Sequence, residues 1–169
     1  VTIGTTLKDE AFYFIRIGTF LERADNTARI LDVKFHGTGP DQPQPHEQQI
    51  DFYYWAALLR SVSAFEIYRK VYRDVITPAR VAELLILREN MPRSLLACMT
   101  ELVINLQFVG TDASRETERL AGIIKSELQY GRIVDIQAAG LDNYLTEFLE
   151  RIGDLGARVS SDFLVPLEA

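Results

Sequence analysis

The stretch FLERADNTAR, residues 20–29, decides the fold, because it is the clearest part of a long amphipathic helix. From Leu7 to Phe35 the only strong helix breaker is Gly18. The pattern predicts one helix over residues 7–35, capped at its start by Thr5 or Thr6. Apolar residues recur there at the three- and four-residue spacing of an α-helix, at Ile17, Phe20, Leu21, Ala24, Ala28, Leu31 and Phe35.

The remainder of the chain reads as further helices separated by turn signals. Residues 37–47 hold three of the six prolines and predict an exposed loop. Thr77 is the expected N-cap of a helix that has Pro78 at its first position. Strand signals are weak, so we predict an all-α bundle of six or seven helices, three or four of them long, with no sheet, in one domain over residues 1–169. The later helices are expected at residues 48–74, 81–87, 90–109, 112–130, 133–139 and 141–164.

Composition narrows the class of protein. The net charge of -6 argues against a general nucleic-acid binder, and no apolar run approaches the ~20 residues of a membrane span. The first residues lack the basic and apolar regions of a signal peptide. Cys98 is the single cysteine, so an internal disulfide is excluded and a reducing, cytoplasmic compartment is expected. Because Cys98 lies on an apolar stripe, we expect it in the core and not as a nucleophile.

Polar residues follow the side of the first helix that lies opposite Phe20, Ala24 and Leu31. Their spacing allows carboxylate–guanidinium and carboxylate–amide contacts along one face. Apolar Ile15 and Val33 lie on nearly the same azimuth, which favours contact with another helix over open water. Three interpretations remain: a solvated face, a buried structural network, or a ligand site. The face comprises Glu22, Asp25, Asn26 and Arg29, with Arg23 about 100° round from Glu22.

The predicted helix over residues 48–74 carries a stripe that changes from apolar to ionic. Trp55, Leu59 and Val62 continue on nearly the same azimuth into a charged set. Such a stripe indicates an ion-pair network or an anion pocket, because buried charges must be paired. We expect Arg69 and Arg73 either to meet the carboxylates of the first helix or to pair within their own helix. The charged set comprises Glu66, Arg69 and Arg73.

A charged turn, RENMPRS at residues 88–94, opens the helix that follows. Backbone N–H groups at a helix start, with Arg88, Arg93 and Ser94 beside them, would suit an anion. The plainer alternative is that this turn only caps the helix and is otherwise solvated.

Several enzyme classes lack their signatures. Ferritin-like metal sites need Glu three residues before His, and Val33 and Pro43 stand before His36 and His46. Zinc-protease, nucleophile-elbow and P-loop motifs are also missing. We therefore predict no metal and no cofactor. Glu22 with Asp25 could serve as paired carboxylates, although Arg29 would keep them ionised.

The segment GTFLERADNTARILDV at residues 18–33 resembles the bacterial alpha-E family, a predicted α-helical domain named for a Glu-Arg motif. Glu22-Arg23 matches that motif, and the resemblance extends over essentially the whole chain. Family members are usually about twice as long, so the chain resembles their C-terminal half. The other similar segments are FYYW at 52–55, YRKVYR at 68–73 and MPRSL at 91–95.

The resemblance implies a bacterial, cytoplasmic protein in a peptide-ligation or peptide-modification system. Family members are typically encoded beside, or fused to, a circularly permuted ATP-grasp protein and a transglutaminase-like protease. The implied partner is the ATP-grasp-type enzyme or the N-terminal half of the family, and homo-oligomerisation stays open. No reaction follows from the resemblance.

Two functions are therefore carried forward. The first is a non-catalytic accessory module that binds a partner enzyme or its peptide. Its binding surface would be the polar face of the first helix together with Arg69 and Arg73. The alternative is an enzyme of unknown class with Glu22 as acid/base and an arginine that anchors a carboxylate or phosphate. A Glu22–Arg29 pair sealed under side chains would make catalysis at that site untenable, whereas an open pocket lined by both residues would weaken the accessory interpretation.

Overall fold

The computed structural model describes residues 10–35 and 47–163, with side chains from residue 52 onward in the second range. These residues form eight α-helices and one 3-10 turn and contain no strand, which confirms the all-α prediction. The helices are α1 (Glu10–Phe35), α2 (Glu47–Ser61), α3 (Phe65–Tyr72), α4 (Pro78–Leu87), α5 (Leu95–Val109), α6 (Arg115–Tyr130), α7 (Ile133–Ala139) and α8 (Leu141–Phe163).

Four helices form a closed ring around the main core. Helix α1 packs against α5 and α8, and α6 packs against α5 and α8 on the other side. Helix α4 is buried along most of its length, through Val81, Ala82, Leu84, Leu85 and Ile86, as expected for a helix in which Arg80 and Glu83 are the only charged residues. It contacts α2, α3, α5, α6 and α7.

Helices α1 and α5 run antiparallel, as three contacts along their length establish. The Tyr13 ring stacks on Phe108, and the Arg16 guanidinium pairs with Glu101 at 3.2 Å. Farther along, the Thr27 hydroxyl donates to the backbone oxygen of Arg93 at 2.9 Å. Thr27 is buried, so this hydrogen bond fixes the turn before α5 against α1.

The predicted second helix is two helices. It ends after Ser61, and Ser63 adopts a left-handed conformation with a φ of 56°. The Ser63 and Ala64 N–H groups donate to the backbone oxygens of Arg60 and Leu59 at 3.1 and 2.7 Å. This is the double hydrogen bond of a Schellman motif, and it raises the helix number from the expected six or seven to eight.

Two other helix starts differ from the prediction. Helix α5 begins at Leu95 and not at Asn90, because Ser94 is its N-cap. Asp112 belongs to a 3-10 turn capped by Thr111, and α6 begins at Arg115. The predicted caps at Thr5 or Thr6 and the loop over residues 37–46 lie outside the described residues, while residue 47 already belongs to α2.

The remaining boundaries agree with the sequence. The Thr77 hydroxyl accepts a hydrogen bond from the Arg80 N–H, and Pro78 is the first residue of α4. Gly110, Gly131 and Gly140 stand directly after α5, α6 and α7. Within the described ranges, no helix is both long enough and apolar enough to cross a membrane.

Candidate functional site

Helix α1 has the two faces that the sequence predicted. Phe20, Ala24 and Leu31 are buried in the core. Glu22, Asn26 and Arg29 are exposed on the other side, and Asp25 is half-buried at its edge. We call this outer side, from Ile15 to Val33, the outer face of α1.

The charged residues on the outer face do not form one sealed network. Arg29 pairs with Asp25 at 2.8 Å, one helical turn away. The hydrogen bond that Arg29 donates to Asp25 and the negative charge of that carboxylate raise the pKa of Arg29 above its usual value. Glu22 makes no ion pair with any described residue. The sealed Glu22–Arg29 pair that would have excluded catalysis is therefore absent.

The apolar residues on the outer face are also uncovered. Ile15 is 63% exposed and Val33 is 69% exposed. A Cβ atom added to Gly18 would meet no atom within 4 Å. The second helix that this pattern predicts against the face is not found among the described elements.

Glu66, Arg69 and Arg73 do not join this face. The break at Ser63 interrupts the stripe that was predicted to run from Trp55 into these residues. Arg69 lies 6.0 Å from the centroid of the Phe65 ring, and Arg73 ends α3 in a left-handed conformation. In the described chain neither arginine forms an ion pair with Glu22 or Asp25. The predicted ion pairs between these two arginines and the carboxylates of α1 are therefore absent among the described residues.

The three residues of the predicted anion site separate into different roles. The buried Ser94 hydroxyl donates to the Arg88 backbone oxygen at 2.6 Å and accepts from the Ala97 N–H at 3.0 Å. The Arg88 side chain lies 3.5 Å from Glu83 and over the Tyr72 ring. Arg93 lines a depression together with residues of α1. The capping alternative therefore describes Ser94, and Arg93 has no ion-pair partner among the described residues.

The structure brings Arg93 to the Glu-Arg dipeptide. An open depression of about 170 Å³ lies beside α1 and the turn before α5. Arg23 lines it and also lines a larger neighbouring cleft of about 420 Å³ between α1 and α5. Glu22 and Arg23 both line the depression, and of the two only Arg23 also lines the cleft, in keeping with their 100° separation. The depression is lined by Thr19, Glu22, Arg23, Asn26, Thr27, Ile30, Val62 and Arg93.

Arg16 and Glu101 are among the residues of the α1–α5 cleft that the sequence analysis did not select. Arg16 pairs with Glu101 and lies 5.0 Å from the centroid of the Phe20 ring, while Arg23 lies 5.3 Å from the same ring. Arg16 and Arg23 are two helical turns apart and therefore share a face. That spacing is visible in the sequence and could have indicated the cleft.

Cys98 is buried in the core, as predicted. Burial raises the pKa of its thiol to about 11, although the nearby positive charges of Arg23 and Arg93 act in the opposite direction. A thiol with so high a pKa has little nucleophilic thiolate at neutral pH. In the described residues no group of three or more His, Cys, Asp or Glu side chains could hold a metal ion.

The tetrapeptide Phe-Leu-Glu-Arg occurs again at residues 148–151 in α8. The burial pattern is the same in both copies: a buried Phe, a half-buried Leu, an exposed Glu and a half-buried Arg. The two copies differ in their contacts, because Arg151 pairs with Glu127 whereas Arg23 has no such partner in the described chain. The second copy is therefore a matched control for the first.

A family model matches residues 1–164 of the chain. It is the Alpha-E model, described as a predicted alpha-helical domain with a conserved ER motif. No curated protein and no solved structure shows significant similarity to the chain.

Proposed function

Because the chain belongs to the Alpha-E family, we propose that it is a helical interaction module that acts with an ATP-grasp-type peptide ligase and a transglutaminase-like protease in the cytoplasm. The resemblance of residues 18–33 to the family suggests these partners. The module would bind the ligase through the outer face of α1. Arg69 and Arg73, which the sequence had assigned to the same surface, are not part of this proposal.

One observation supports this role above the others: the outer face combines polar and apolar groups and is not covered by any described element. Glu22, Asn26 and Arg29 lie between the exposed Ile15 and Val33. Exposed apolar side chains beside charged groups are typical of protein–protein interfaces with a polar rim. Open space above Gly18 would let a partner's backbone approach α1 closely.

The second candidate function is an enzyme of unknown class that uses Glu22 as acid/base. The observation that favours it is the open depression lined by Glu22, Arg23 and Arg93. Glu22 has no ion-pair partner among the described residues. An arginine there could anchor a carboxylate or phosphate.

Replacing Glu22 by alanine is expected to weaken association with the ATP-grasp partner by about tenfold, because one well-placed interface side chain contributes roughly 1–2 kcal/mol. Glu150→Ala is the matched control, since Glu150 is equally exposed in the same tetrapeptide. Titration calorimetry on the full chain would measure the dissociation constants, and an ATP-turnover assay of the complex would be run in parallel.

The outcomes separate the two functions. If Glu22→Ala weakens association with the ATP-grasp partner and Glu150→Ala does not, the interaction module is supported. Unchanged association with lost turnover supports the enzyme. Unchanged association and unchanged turnover would reject both proposals for this face.

Gly18→Ala is expected to stabilise the free protein by about 0.5–1 kcal/mol, because alanine is the better helix former and its Cβ meets no neighbour.

Gly18→Leu should leave the fold intact and weaken association with the partner, since the larger side chain would block close approach. Urea unfolding and the same calorimetric titration test both statements. Equal partner affinity for Gly18→Leu and the unmodified chain would show that the face is not approached at this point.

A further inference from the structure

We call the surface along the line where α1 and α5 meet the α1–α5 groove; the cleft of about 420 Å³ occupies its part from Arg16 to Arg23, and Ile104 and Phe108 lie beyond the cleft along α5. On α1 the groove is bordered by side chains that are spaced three and four residues apart. On α5 it is bordered by outward-facing side chains, which follow one another in the opposite direction because the two helices are antiparallel. One end of the groove is apolar: Phe108 is 63% exposed, Ile104 is 41% exposed, and Phe108 stacks on Tyr13 with 4.4 Å between the ring centroids. The α1 stripe comprises Tyr13, Arg16, Phe20 and Arg23.

The other end of the groove is cationic. Arg23 lines the cleft, and Arg93 lies beside it in the adjoining depression. Neither guanidinium forms an ion pair with a described residue, whereas Arg16, midway along the groove, is already paired with Glu101 at 3.2 Å. Two guanidinium groups at one place, both without a carboxylate partner, are suited to bidentate binding of an anion.

Acidic side chains near the groove limit which anion would fit. Glu89 and Glu101 line the cleft, and Glu22 lines the depression. A segment with many acidic side chains would meet these carboxylates, and like charges repel. Arg23 and Arg93 line one depression in which Glu22 is the only lining carboxylate. Two guanidinium groups beside one carboxylate favour a ligand with a single carboxylate.

The distance between the two ends sets the length of the ligand. Tyr13 and Arg23 are ten residues apart in α1, which corresponds to about 15 Å at the rise of an α-helix. An extended peptide covers that distance with about five residues. Since Ile104 and Phe108 offer apolar surface at the far end, the ligand should carry an apolar side chain there.

We propose that the α1–α5 groove binds the free C-terminal end of a partner peptide, with its terminal carboxylate on Arg23 and Arg93 and an apolar side chain against Ile104 and Phe108. This inference rests on the proposed role as a binding module, and its site borders the outer face of α1 at Glu22, which lines the same depression as Arg23 and Arg93. It assigns Arg23, the arginine of the Glu-Arg motif, to recognition of a carboxylate.

The test uses the isolated full chain and two synthetic peptides of about six residues, a length taken from the groove. Each is N-acetylated and begins with phenylalanine, with small neutral residues after it. One ends in a free carboxylate and the other in a carboxamide. In an NMR titration to millimolar concentration, the free-acid peptide should shift the Nε–H signals of Arg23 and Arg93 and the amide signals of Ile104 and Phe108. The amide peptide should bind at least about tenfold more weakly, because it lacks the charge-assisted hydrogen bonds.

Three variants complete the test. Arg23→Gln and Arg93→Gln should each reduce affinity for the free-acid peptide at least about tenfold. Arg132→Gln is the control, since Arg132 is exposed, lies far along the chain and pairs with Asp135. Arg93 is exposed, so its variant remains informative if Arg23→Gln unfolds, and thermal unfolding identifies that case.

Equal binding of the two peptides, no shift at millimolar concentration, or shifts confined to other surfaces would each overturn the groove proposal. None of these results bears on the outer face, which is tested with the ATP-grasp partner and Glu22→Ala. Loss of partner binding in Glu22→Ala with intact peptide binding would support the two surfaces as separate sites.

Discussion

Leu102→Ala is expected to lower the free energy of unfolding by about 2–5 kcal/mol. Leu102 is 1% exposed in α5, the helix that packs against both α1 and α6. Truncation removes buried methyl groups and leaves a cavity that surrounding helices can close only in part. In a domain of this size the loss corresponds to a fall in the melting temperature of roughly 5–15 °C.

Ile104→Ala is the matched control for this change. Ile104 lies two residues further along the same helix but is 41% exposed, so its truncation should cost less than about 1 kcal/mol. Urea unfolding followed by circular dichroism measures both variants. Similar losses for the two would contradict the placement of α5 between α1 and α6.

Ser94→Ala is expected to cost about 1.5–2.5 kcal/mol, more than an ordinary N-cap. The hydroxyl accepts from the Ala97 N–H and donates to the Arg88 backbone oxygen, and the residue is fully buried. Its removal ends the cap, worth about 1 kcal/mol, and also removes one of the two hydrogen bonds to the Arg88 oxygen, which keeps the bond from the Met91 N–H, at roughly 0.5–1.5 kcal/mol.

Thr77→Ala removes a cap alone and should cost about 1 kcal/mol. Its hydroxyl accepts from the Arg80 N–H at 3.3 Å at the start of α4. The comparison is made by urea unfolding of both variants. If Ser94→Ala costs no more than Thr77→Ala, the hydrogen bond from Ser94 to Arg88 does not hold the turn before α5.

The helical class and most boundaries could be predicted because their signals are local. The apolar spacing from Ile17 to Phe35 alone predicts α1, and Thr77 with Pro78 predicts the start of α4. The break between α2 and α3 could not be predicted in this way, because neither glycine nor proline marks it. Ser63 takes the left-handed conformation that usually favours glycine. Burial of Leu59, Val62 and Ala64 around it stabilises a turn that the local sequence disfavours.

The site was predicted less completely for a similar reason. Helical spacing placed Glu22, Asn26 and Arg29 on one face of α1, and the structure agrees. Spacing within one helix says nothing about which distant turn lies beside it. Arg93 lines the same depression as Arg23 because Thr27 holds the turn at residue 93 by a hydrogen bond across 66 positions. Arg88 and Ser94, close in sequence to Arg93, are instead used in the turn itself.

The position of α1 in the ring also has a consequence for synthesis of the chain. Its main packing partners are α5 and α8, so its apolar face has no native cover until α5 has left the ribosome. Val109, the end of α5, follows Phe35 by about 70 residues, or roughly 4–15 s at typical translation rates. During that interval Phe20, Ala24 and Leu31 are available to chaperones. Mutations that slow the docking of α5 should therefore reduce the yield of folded protein in the cell more than their effect on equilibrium stability indicates.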